Sequence, residues 1–504
     1  MKKKIIYLGF LIGLVFSTCN LPEQEPKDVE ELYVAYCGSC HLKPDPANIP
    51  KSIWEDHVLP EMGARLGYKY NGYNPFSGNT MKENLYIRMT GTYPKEPVID
   101  SASWQLIQQY ILDAAPENIF PDTLRNTRNY KLSQFQPQLI SLDENKLVSV
   151  MSVQFDSAAS QFVIGDVYGS FHQWPRRFNS SMNFNSPVIS SLNKKSGLYT
   201  TEIGYMNPSE IPLGVVHKKN NGNVDTLAKQ LHRPVFTEII DLDEDGEEEI
   251  LLCEFGNLTG ELSMLVKENG QFEKKTLLPL PGTITLQVTD MDGDGKKDII
   301  VLASQGKEGV YILYQKNNLQ FKTEQAISMG SEYGTSWFEL TDYNQDGHLD
   351  ILLANGDNAD YSVFLKPFHG VRLFLNNGKN EFFQKWFYPI YGATRVLCND
   401  YDLDGDVDIA VMAFFPDFEN AQEESFVYLE NKNSAEYIFK PYVFDQAKSG
   451  RWMVMEQGDY DGDGDVDIML GSFLLPINRK KYKSVIDRWR NDRVDVLLLE
   501  NLIN

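Results

Sequence analysis

Two residue patterns in this 504-residue chain have the types and spacing to do chemistry. The first is Tyr36-Cys37-Gly38-Ser39-Cys40-His41, in which two thiols three positions apart are followed at once by an imidazole. Cys-x-x-Cys-His is the attachment pattern of a c-type haem: the thiols reach the two vinyl groups and the imidazole takes one face of the iron. A dithiol redox site would not call for the histidine and expects a βαβ setting. The opposite face of the iron needs a ligand too, and a methionine sulfur is the usual one. Met62, in Leu59-Pro60-Glu61-Met62, is the preferred choice, with Met81, Met89 and His57 as alternatives.

The second pattern recurs five times. It reads Asp241-Leu-Asp243-Glu-Asp245-Gly246-Glu-Glu-Glu249 and Asp290-Met-Asp292-Gly-Asp294-Gly295-Lys-Lys-Asp298. It returns as Asp342-Tyr-Asn344-Gln-Asp346-Gly347-His-Leu-Asp350, Asp400-Tyr-Asp402-Leu-Asp404-Gly405-Asp-Val-Asp408 and Asp459-Tyr-Asp461-Gly-Asp463-Gly464-Asp-Val-Asp467. Oxygen ligands at positions 1, 3, 5 and 9, with glycine at 6 for the turn, suit a hard cation such as Ca²⁺. An EF-hand would add a glutamate at position 12, and here that place holds Leu252, Val301, Leu353, Val411 and Leu470. Each loop runs instead into an apolar, strand-like segment such as Ile299-Ile-Val-Leu302.

The elements that must position these groups can be read around them. Val29, Leu32, Tyr33 and Tyr36 mark one face of a helix leading into the haem motif. Trp104, Ile107 and Ile111 mark another, with Ser101 or Ser103 as its cap. This closing helix resembles that of class I cytochromes c, although their Met-Pro step is here Tyr93-Pro94. Farther on, the acidic loops begin 49, 52, 58 and 59 residues apart, the length of one four-stranded blade.

Loop-then-strand with this signature resembles the FG-GAP or VCBS repeats of integrin-α-like β-propellers. Two copies without the carboxylates, Pro187–Gly197 and Pro137–Asn145, bring the expected count to seven blades. The fold class expected is thus a small all-α, cytochrome c-like domain (28–125) followed by an all-β, seven-bladed propeller (126–504) with calcium loops.

The chain opens with Lys2-Lys3-Lys4, an apolar run from Ile5 to Phe16, and Ser17-Thr18-Cys19, the layout of an export signal. The last three residues resemble a bacterial lipobox, with Phe16 where that family prefers leucine. The resemblance implies a signal peptide at 1–18, acylation of Cys19, a tether at 19–27, and a membrane anchor in the cell envelope. Cys253 and Cys398 lie in apolar runs and read as buried strand residues.

The charge, −23 from 70 acidic and 47 basic residues, argues against nucleic acid as a partner. The basic stretch Arg479–Lys483 reads as an exposed insertion before a final strand at Val494–Leu499. No nucleophile elbow, phosphate loop or dinucleotide motif is present. The function expected is one-electron transfer to a redox partner protein, with the propeller as a platform for that protein or a glycan. The rival readings are a haem-containing dehydrogenase and a polysaccharide-acting surface protein whose propeller holds the substrate.

Overall fold

The computed structural model describes residues 28–69, 72–120, 132–143, 146–175, 178–181, 184–220, 222–357, 364–474 and 477–503. Cys19, the leader and the tether lie outside the described residues, as does the expected boundary at 125/126.

Helices come first. Helix α1 (Val29–Cys37) starts at Asp28, whose carboxylate accepts from the Glu30 N–H at 3.1 Å, and stops at Gly38. Next, α2 (Lys51–Ile53), a π-helical turn (Trp54–Val58) and α3 (Leu59–Arg65) run on from one another. Pro60 explains the widened turn, because it offers no N–H to the carbonyl four residues back and its ring crowds that carbonyl. Helix α4 (Met81–Met89) is capped by Thr80, and α5 (Ser101–Ala114) by Asp100. Asp100, and neither Ser101 nor Ser103, is the cap of α5: its carboxylate accepts from the Ser103 N–H at 2.9 Å and the Ser103 hydroxyl at 2.7 Å. Leu32, Tyr33, Trp54, Leu59, Trp104, Ile107 and Ile111 form the helical core, joining α1 to α5. Among the described residues no helix is long and apolar enough to cross a membrane.

The strands that follow form seven four-stranded antiparallel sheets, the blades of a propeller. Six are continuous in sequence, at 150–181, 188–231, 234–278, 283–328, 335–389 and 393–443. The seventh is closed from both ends of the chain. Trp452–Gly458, Asp467–Ser472 and Val496–Asn501 receive Phe135–Ile140 as their outer strand, in register from Phe135 opposite Asn501 to Ile140 opposite Val496. This corrects the sequence reading: the strand of the copy read from Pro137, Phe135–Ile140, does not open the first blade but seals the last, and the first blade begins at Val150. Second strands such as Glu249–Glu254, Asp298–Ala303 and Asp408–Ala413 are buried at every residue, since both faces of a blade pack against neighbours.

The basic stretch is exposed at Arg479, Lys480, Lys481 and Lys483 and precedes the final strand, as expected. It leads into helix α6 (Lys483–Asp492), which buries Val485 and Trp489 against Phe418, and the final strand follows at Val496–Asn501. Cys253 is fully buried and Cys398 half-buried, both in strands.

The helical part rests on the propeller through specific bonds. The Asn48 amide donates to Glu332 at 3.1 Å, and Glu83 accepts from the Ser209 hydroxyl at 2.7 Å and from the Glu210 N–H.

Candidate functional site

Helix α1 ends at Cys37, and the turn that follows carries Cys40 and His41. Both cysteines are free thiols. Burial pushes the Cys37 thiol up to about 12, the opposite of what an attacking dithiol needs. The His41 Nδ1 lies 2.9 Å from the Leu42 carbonyl, which favours a proton on Nδ1 and leaves Nε2 as the free lone pair.

Cys37, Cys40, His41 and Met62 line one cavity of about 280 Å³, with Ile49, Trp54, Leu59, Leu66, Trp104 and Ile111 among its apolar walls. Of the alternative ligands, Met81 is 91% exposed and Met89 72%, and His57 is exposed also. Met62 is the candidate that the fold brings to the cysteines. Glu61, beside it and buried, is held by Arg65 Nε at 3.1 Å, by the Tyr93 hydroxyl at 2.6 Å and by the Tyr73 hydroxyl. Those bonds tie α3 to the segment before α5.

All five acidic loops occupy the same place, between the inner and second strands of blades three to seven. Position 1 turns the loop by accepting from the backbone N–H of position 6, as Asp241 does from Gly246 at 3.0 Å and Asp459 from Gly464 at 3.1 Å. The position-6 glycines have φ between +85° and +100°, where a side chain would be strained. In four loops three carboxylates converge, with ligand oxygens within 4.8 Å of one another: Asp241/Asp243/Glu249, Asp290/Asp292/Asp294, Asp400/Asp402/Asp404 and Asp459/Asp461/Asp467. The loop of Asp342, Asn344, Asp346 and Asp350 is the weaker donor set, because Asn344 is neutral and its amide donates to Asp346 at 3.0 Å.

Position 9 has a second duty that the spacing did not reveal. Asp298 accepts from the Met291 N–H at 2.9 Å and the Gln315 N–H at 2.7 Å, and Asp350 from Tyr343 at 3.1 Å and Asn376 at 2.8 Å. Asp467 joins Tyr460 and Asn501 in the same way, so this carboxylate clamps the loop to the third strand of its blade. Asp408 does the same with Asn431 and adds the Tyr428 hydroxyl at 2.6 Å.

Position 7 was missed as well. Asp406 and Asp465 stand there, and Asp406 Oδ1, both Asp465 oxygens and Asp400 Oδ1 are buried without a hydrogen-bond partner. The signal was present in the sequence as Asp-Gly-Asp-Val-Asp in these two loops; the first loop also has an acid at position 7, Glu247, but it is exposed and paired with Lys267 at 2.7 Å. Desolvation and crowding by like charges raise the carboxyls: Glu249, Asp408 and Asp467 to about 7, Asp402 and Asp465 to about 6.

The inner strands surround a central channel of about 740 Å³, lined by Gln154, Glu238, Gln287, Glu339, Arg395 and Glu456. The Arg395 guanidinium lies 3.6 Å from the centre of the Trp337 ring and donates to the Met455 carbonyl at 2.8 Å.

An FG-GAP-like repeat matches residues 290–353, the fourth blade's acidic loop through the second strand of the fifth. No curated protein matches the chain. Among solved structures, it is similar to the WD40 domain of Neurospora crassa Pan2 (12% identity, 73% of this chain and 96% of that one, TM-score 0.43). It is similar also to Saccharomyces cerevisiae Sqt1 (11% identity, 70% and 84% covered, TM-score 0.43). Both likenesses are too distant to bear on function.

Proposed function

We propose that this protein is an exported, lipid-anchored c-type cytochrome that passes single electrons to a partner protein, and that its calcium-stabilised propeller is the platform on which the partner docks. The observation that carries the reading is the meeting of Cys37, Cys40, His41 and Met62 in one largely apolar cavity. A covalently held haem would supply a one-electron couple there. Cys37 and Cys40 would hold the haem covalently, His41 Nε2 and Met62 Sδ would be its iron ligands, and the aromatic walls would keep water away. Arg65, in the same wall, is the cation suited to a propionate.

The acidic loops support calcium by their donor chemistry. Converging carboxylates with orphaned, buried oxygens are costly without a cation, and hard oxygen donors match Ca²⁺ better than a soft metal. Acylation at Cys19 and residence in the bacterial cell envelope complete the reading, because c-type haem is attached outside the cytoplasm. The basic n-region, short apolar run and lipobox-like Ser17-Thr18-Cys19 support it.

The test is a visible spectrum after expression with a cytochrome c maturation system, including denaturing gels that retain covalent haem. One haem per chain is expected in the wild type, none in Cys37→Ala/Cys40→Ala, and a low-spin spectrum whose thioether signature and high potential are lost in Met62→Ala. A wild-type protein without haem absorbance under those conditions would end the electron-transfer reading. Reduction of the haem by added sugars or alcohols, with no partner protein, would replace it with the dehydrogenase reading.

A further inference from the structure

The cavity that gathers Cys37, Cys40, His41 and Met62 is not walled by the helices alone. Asn257, Leu258, Pro281, Gln305, Glu308 and Glu332, all from loops of the propeller, complete its lining. The loops lie in and between the third, fourth and fifth blades, the sector against which the turn Pro46–Asn48 is pressed.

Charged groups in this lining are few. Arg65 is engaged with Glu61, and Glu308 accepts from the Thr335 N–H and hydroxyl at 3.1 Å. Glu332 is different. It is 6% exposed, its Oε1 accepts from the Asn48 amide, and its Oε2 is buried with no hydrogen-bond partner. Gly330 makes room for it, since a Cβ at that position would collide with the carboxylate. A buried carboxylate oxygen without a donor is expensive. A positive charge across the cavity would offset the cost.

We propose that Glu332 tunes the reduction potential of the haem from the propeller side, which makes the propeller a working wall of the redox site as well as a docking platform. The proposal rests on the haem reading above. Ferric haem carries one more positive charge than ferrous haem. A fixed carboxylate in a water-poor wall therefore stabilises the oxidised form and lowers the potential, and the low local dielectric strengthens the effect. Glu332 acts here through space, as a positioning charge and not a ligand. Asn48, from the segment just after the haem motif, holds its carboxylate in place.

The experiment is a spectroscopic redox titration of the full-length, haem-loaded protein as wild type, Glu332→Gln and Glu332→Asp, with thermal melting of each. The expected result is an upward shift of the midpoint potential in Glu332→Gln, little shift in Glu332→Asp, and matching melting curves. A purely structural role predicts the opposite sign: a loosened wall admits water, water stabilises the more highly charged ferric form, and the potential falls. A downward or absent shift with haem in place would overturn the proposal. So would an upward shift that disappears between about 0.05 M and about 1 M salt, because screening over ~3 Å at the higher strength removes surface charges and spares buried ones. Absence of haem from the wild type would be a separate failure. It would strike the function proposed above, and this inference with it.

Discussion

At the scale of single residues, the position-9 carboxylates tie the loop to the blade that carries it. Each is the first residue of a second strand, nearly or fully buried, and in Asp298, Asp350 and Asp467 one oxygen accepts from a backbone N–H of the loop and the other from one of the third strand. Removing one strands two donors. In Asp350→Ala the N–H groups of Tyr343 and Asn376 lose their acceptor, for an expected loss of about 2–4 kcal/mol. Urea unfolding in the presence of chelator measures it without counting any metal, and a loss below about 0.5 kcal/mol would show that the clamp contributes nothing. This role was not legible in the spacing, since position 9 of a calcium loop is also where a ligand is expected. The distinction needs the third strand, which lies 17–34 residues further along the chain.

The loop as an element couples protonation to stability, and the proposed calcium would act on the same carboxyls. Without metal, its buried carboxyls hold protons more tightly folded than unfolded, with Glu249, Asp408 and Asp467 raised to about 7 from an ordinary value near 4. Their favourable contribution is therefore complete in acid and is lost as the pH rises through about 7. In chelator, the melting temperature should fall as pH goes from about 5 to about 7.5, while in excess Ca²⁺ the cation replaces the proton and the decline is abolished. Parallel melting profiles with and without Ca²⁺ would refute calcium stabilisation. The loop's period, its glycine and its carboxylates all stood in the sequence. The left-handed backbone at position 4 did not, because Glu244, Gln345 and Leu403 adopt it (φ 56° to 61°) where only Gly293 and Gly462 announce it. The fold of the ring imposes that conformation against local preference.

For the molecule as a whole, closure is the decisive contact. The outer strand Phe135–Ile140 joins the end of the chain more than 350 residues away, and Phe135 packs edge-on against Tyr401 and Tyr428 with ring centroids 5.9 and 5.2 Å apart. Phe135→Ala removes the seal of the seventh blade from the core it shares with the sixth, at an expected ~3–5 kcal/mol. Calorimetry should show the propeller transition move down as one unit, because a closed ring leaves no blade free to melt alone. A separate early transition confined to one blade would contradict that cooperativity.

The sequence by itself determined the chemistry-bearing residues and their local setting. Cys37, Cys40 and His41 are contiguous enough to be read as one motif, the five acidic loops repeat with a period that fits a blade, and the faces of α1 and α5 follow from helical spacing. Such features rest on contacts within a few residues, which a linear pattern records. The tertiary structure decided what depends on distant neighbours: Met62, and not Met81 or Met89, in the cavity with the cysteines, the placing of 135–140 in the last blade, α6 docked by Trp489, and Glu332 brought from the fourth-to-fifth blade connection to the wall beside the cysteines. Each of these is fixed by burial and pairing between segments far apart in the chain. Their local sequence suits several environments, and only the closed ring and its apposed helices select one.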